Sequence, residues 1–97
     1  MPEMRFSVRW PDATVSDCYS PSLVIREHMD TGASYPVAEF VERSRTALNI
    51  ASERVRAKYG YACSSALDQL SQIEQTAARF ASLPQAQVEV LAFTPDA

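Results

Sequence analysis

Glycine is scarce in this 97-residue chain: only Gly32 and Gly60 occur, against six prolines. That balance excludes a flexible or low-complexity chain, whose entropy cost of ordering could not be met. Cysteine is almost as rare, and Cys18 and Cys63 stand far apart with no CxxC spacing. A local zinc knuckle and a disulfide framework are therefore excluded, and both residues are expected as buried free thiols. Histidine occurs once, as His28, which matches no metal-ligand spacing, so no metal and no cofactor are expected. Basic residues are too few to leave an electrostatic footprint: nine Lys and Arg against twelve Asp and Glu give a net charge of -3. A phosphate backbone needs the opposite sign, which removes nucleic acid as a partner. No run approaches the ~20 apolar residues of a membrane span. The opening Met1-Pro2-Glu3-Met4-Arg5 begins a strand pattern instead of a signal peptide, so the expected address is cytoplasmic.

What is there is ordinary globular composition, 46% hydrophobic and 22% charged, in a length suited to one domain over residues 1–97. Residues 4 to 10 alternate, with Met4, Phe6, Val8 and Trp10 on one face and Arg5, Ser7 and Arg9 on the other, as a half-buried strand requires. Pro11-Asp12-Ala13-Thr14 turns the chain into a second strand at about 15 to 20. Two hairpin registers compete. A two-residue loop sets Trp10 opposite Val15 and Val8 opposite Asp17. A three-residue loop sets Arg9 opposite Asp17 and Val8 opposite Cys18, and is preferred because it pairs charges and buries the thiol. Ala13, where such loops usually carry Gly, counts against it.

Ser20-Pro21-Ser22 resembles a helix start, with Ser20 as N-cap and Pro21 at the first helical position, leading into a short helix over 21–29. The β-branched pair Val24-Ile25 keeps a continued strand open as the other reading. From Pro36 to Lys58, Val37, Phe40, Val41, Leu48, Ala51, Val55 and Tyr59 recur at helical spacing, with Gly60 placed to end the helix. A second amphipathic helix is expected over about 64 to 82, burying Ala66, Leu67, Leu70, Ile73, Ala77 and Phe80. Val88 to Phe93 forms a third strand, with Val88, Val90 and Ala92 on one face and Glu89, Leu91 and Phe93 on the other. The expected fold is therefore α+β: a three-stranded sheet, N-terminal hairpin plus C-terminal strand, covered on one face by two long helices and one short one.

Few residues could carry chemistry. Cys63 precedes a helix start, where the positive helix end would favour its thiolate; it serves equally as a small hydrophobe at a helix joint. His28 is the sole candidate base, or a residue answering the last carbonyls of its helix. Ser20 and Ser22 could hold an anion at a helix N-terminus, or simply cap it. Arg43, Arg45, Arg54 and Arg56 form a solvated helix face or a binding surface. Arg5, Arg9, Leu91 and Phe93 mark the outward sheet face, and with Tyr19, Tyr35 and Tyr61 they suggest more apolar surface than one helical layer hides. A homodimer would cover it, as would the short helix and the termini.

The strings Arg9-Trp10-Pro11-Asp12, Cys18-Tyr19-Ser20-Pro21-Ser22, Ser44-Arg45-Thr46-Ala47-Leu48, Ile50-Ala51-Ser52-Glu53-Arg54-Val55-Arg56, Tyr59-Gly60 and Cys63 with Ala66-Leu67-Asp68-Gln69-Leu70 resemble a family of small bacterial nitrogen-starvation-response proteins. The resemblance spans about Met4 to Pro95. It implies a role beside the products of a bacterial gene cluster that encodes a nitrilase-type enzyme, a radical-SAM protein, an acetyltransferase-like protein and a flavoprotein, with links to nitrogen limitation and nitrile or cyanide use. It assigns no catalytic residue. The expected function is a non-catalytic accessory protein that forms a homodimer or docks onto a protein from that cluster. The alternative is a small-molecule binder or enzyme using Cys63 and His28, with Ser20 and Ser22, in a pocket between sheet and helices.

Overall fold

The computed structural model describes residues 4–61, 64–83 and 85–94. The elements in chain order are β1 (Met4–Arg9), β2 (Val15–Ser20), α1 (Ile25–His28), β3 (Ser34–Pro36), α2 (Val37–Tyr59), α3 (Ser64–Ala78) and β4 (Gln87–Thr94). The α+β class agrees with the sequence, but the sheet has four strands, not three, in the antiparallel order β2-β1-β4-β3. The added strand, Ser34-Tyr35-Pro36, is too short to show alternation. It exists because β4 offers it partners: Gly32 N–H donates to the Val90 carbonyl at 2.7 Å, and Val90 N–H to the Ala33 carbonyl at 2.9 Å.

The β1–β2 loop holds three residues, Pro11, Asp12 and Ala13. Trp10 N–H donates to the Thr14 carbonyl at 2.8 Å and Ala13 N–H to the Trp10 carbonyl at 2.9 Å. Ala13 takes the left-handed conformation, φ 71°, that glycine usually occupies. Neither expected register holds, because Val8 lies opposite Ser16, Ser7 opposite Asp17 and Phe6 opposite Cys18. Relative to the preferred pairing, the strands slide by two residues. A slip of two preserves the faces, so Cys18 is still buried with Met4, Phe6 and Val8.

A bulge between Ser7 and Val8 changes the reading of β4: Val8 pairs with Val90 and Ser7 with Ala92, leaving Leu91 as the extra residue. The alternation therefore changes phase. Val88 and Val90 face the helices before the bulge and Phe93 faces them after it, 6.4 Å from the Phe6 ring, while Ala92 turns outward.

All core residues gather between this face and the helices. Trp10 is the centre, edge-on to Phe40 at 5.4 Å and stacked on Phe80 at 6.0 Å. Its ring N–H donates to Ser16 Oγ at 2.9 Å, so the indole is buried without an orphaned donor. α2 buries Val37, Phe40, Ser44, Ala47, Leu48, Ala51, Ser52 and Val55 along one stripe, and Gly60, φ 83°, ends it by donating to the Arg56 carbonyl. α3 presents Ala66, Leu70, Ile73 and Ala77 to the core, and Phe80 follows in a tight turn. Leu67, expected inside, is exposed. Among the described residues no helix is long and apolar enough to cross a membrane.

Candidate functional site

Ser20 and Ser22 do not cap a helix. α1 is only four residues long and begins at Ile25, with Val24 at its N-cap position and no side-chain cap. The two serines instead build a buried turn. The Ser20 hydroxyl donates to the Ser22 carbonyl at 2.7 Å and accepts the Ser22 N–H at 3.3 Å. Ser22 Oγ accepts from Val24 N–H and from Arg54 Nη1, each at 3.3 Å. Serine side chains offer the backbone this local alternative to a helix, and here Pro21, also buried, rigidifies it. Their hydroxyls are spent on the scaffold.

His28 closes α1, half-buried, and its backbone carbonyl accepts Arg43 Nη1 at 2.7 Å. Arg43 also donates to Glu39 at 3.0 Å and lies over the Tyr35 ring at 4.3 Å, while the Tyr35 hydroxyl accepts Asp30 N–H at 3.0 Å. This network pins the loop into β3. Ser22 and His28 touch α2 at Arg54 and Arg43 respectively, which are about 16 Å apart along a helix rising 1.5 Å per residue. Ser22 and the His28 backbone thus anchor this segment at two separate positions of α2. Cys63 lies outside the described residues.

The outward sheet face is polar, contrary to the expected apolar patch. Arg5 pairs with Asp17 at 3.9 Å and lies over the Tyr19 ring, and Arg9 pairs with Glu89 at 3.1 Å. Phe93 is in the core and Leu91 is half-buried at the bulge. On the free edge of β2, Tyr19 N–H is taken by Gln69 Oε1 of α3 at 3.0 Å.

Three of the concave regions among the described residues bear on function. A crevice of about 180 Å³ between β2 and α3 is lined by Asp17, Cys18, Gln69 and Gln72 among others. Its thiol is not a nucleophile, because burial, and secondarily the charge of Asp17, push the Cys18 pKa up to about 12. A groove of about 390 Å³ runs between the start of α2 and the end of α3, crossed by Arg45, which bonds Glu42 at 2.6 Å and Glu74 at 2.9 Å. The third is a shallow, mostly apolar hollow of about 500 Å³ on the flank of α2, formed by Asn49, Ile50, Glu53, Arg54 and Ala57. Sequence reasoning missed this flank. Its signal was Ile50, an isoleucine outside the Leu48, Ala51 and Val55 stripe. Among the described residues, no group of three or more His, Cys, Asp and Glu side chains is arranged to hold a metal ion.

Residues 5–93 match the family model described as nitrogen starvation-induced protein NitG. The chain belongs to the NitG family. No curated protein and no solved structure matches it. The family resemblance read from the sequence is thus correct, and the NitG match runs from β1 into β4, taking in the serine turn, the Arg43 network and the open α2 flank.

Proposed function

We propose that this NitG-family chain is a non-catalytic accessory protein of the nitrogen-starvation response, acting by protein contact with a product of the nitrilase-containing cluster. One contrast carries the reading. The Ser20 and Ser22 hydroxyls and the Cys18 thiol are consumed by buried structure, whereas the α2 flank around the half-buried Ile50 is left as an open hollow edged by the exposed Asn49, Glu53, Arg54 and Ala57. Buried, satisfied polar groups stabilise a scaffold, and exposed contiguous apolar surface is what protein partners cover.

The test is sedimentation of the purified full chain with and without the nitrilase-type enzyme of the cluster. A faster-moving species containing both proteins is expected. Two independently sedimenting proteins at concentrations of roughly 100 μM, where even weak complexes form, would overturn the partner assignment.

A further inference from the structure

The flank of α2 has an internal symmetry that points to its occupant. This side of the helix is met near Arg43 by the end of α1 and at Arg54 by Ser22, while Asn49, Glu53, Arg54 and Ala57 remain exposed and Ile50 half-buried around an open hollow. Along it, Ile50 and Ala57 lie two turns apart, and Glu53 and Arg54 sit between them on the same face. The order is self-complementary in size and charge: a large apolar residue, an acid, a base and a small apolar residue. Turned end for end, the pattern meets its own complement.

We propose that a second copy of this chain occupies the flank, with the two α2 helices antiparallel about a two-fold axis between Glu53 and Arg54. Ile50 of each copy then fills the space over Ala57 of the other, and Glu53 of each faces Arg54 of the other. A two-fold interface requires such self-complementarity, since the residue contacting its opposite number must be contacted by it in return. An alanine opposite an isoleucine lets helices approach to the usual 8–10 Å. The charges have capacity to spare: among the described residues Glu53 pairs with Arg56 at 3.5 Å within its own helix, and Arg54 lends one of its five donors to Ser22. The interface falls at the small end of specific contacts, so association is weak and concentration-dependent. It rests on the same open flank as the hetero-partner reading, and its test is separate because it uses the pure chain.

The test is sedimentation equilibrium of the pure chain from about 1 to about 500 μM, a range that brackets a weak dimer. A reversible monomer–dimer equilibrium is expected. Glu53→Arg places two like-charge pairs in the interface and should raise the dissociation constant at least tenfold. Arg54→Glu should do the same, while the double swap, Glu53→Arg with Arg54→Glu, restores both pairs and returns the constant to within about threefold of the parent. The swap distinguishes lost pairing from lost folding, as does an unchanged urea midpoint for Glu53→Arg. A monomer throughout the range, a dimer indifferent to either charge reversal, or a double swap that stays monomeric would each overturn the proposal.

Discussion

Truncation of Phe93 to alanine separates two accounts of β4. Unbroken alternation from Val88 puts Phe93 on the outward face, where a truncation typically changes stability by no more than about 0.5 kcal/mol. The bulge at Leu91 puts it in the core, 7% exposed and against Phe6. Removing a core phenylalanine leaves a cavity and costs about 3–5 kcal/mol. The lower figure applies because Phe93 is one residue from the strand end and its surroundings can partly collapse. About 3 kcal/mol is a large share of the 5–15 kcal/mol typical of a domain. At about 4–8 °C per kcal/mol it should lower Tm by roughly 12–24 °C. Urea unfolding followed by Trp10 fluorescence reads it directly. A second variant tests the cause. Deleting Leu91 removes the extra residue and leaves Val90 inward, Ala92 outward and Phe93 inward in simple alternation, so the deletion should cost less than Phe93→Ala. A loss below about 1 kcal/mol for Phe93→Ala, or a deletion that unfolds the protein, would refute the reasoning.

Cys18, buried and with its pKa at about 12, should resist alkylation at pH 8 in the native state and react fully in denaturant, with peptide mapping to distinguish it from Cys63. Ala13→Gly should raise stability by about 0.5–1 kcal/mol in urea titration, since relief of the left-handed strain outweighs the extra freedom of glycine in the unfolded chain. Asp12 accepts from the Thr14 hydroxyl at 2.6 Å and the Thr14 N–H at 3.1 Å, and these bonds, aided by Arg79, hold its carboxyl below the usual value of 3.8. A lowered folded-state pKa contributes stability above pH 3.8 that disappears as the pH falls through the lower value. Asp12→Ala should therefore lose stability at neutral pH and show a shallower decline of Tm between pH 5 and pH 2 than the parent, and parallel profiles would exclude this role.

Much of the fold was legible where one periodic signal acted alone. The alternation over Met4–Trp10, the long helix ending at Gly60 and the inward face of α3 all rest on such signals. Failures cluster where a distant partner intervenes. β3 exists through pairing with β4, the phase of β4 changes at a bulge opposite Ser7 and Val8, and Ser20 is held in a turn whose Ser22 reaches Arg54. The candidate site suffered for the same reason. His28 and Ser22 are near neighbours in sequence, yet they are held by Arg43 and Arg54, which lie about three turns apart on α2.

By itself, the sequence determined the N-terminal strand and its inward face, the two long helices and the presence of a C-terminal strand, because these follow from the period of apolar residues and from local backbone chemistry. It also determined the family. Tertiary structure decided the fourth strand, the hairpin register, the burial of Phe93 and the exposure of the Ile50–Ala57 flank. Each depends on what the rest of the chain packs against a segment, and hydrogen-bond partners and covered surface are not properties of a segment alone.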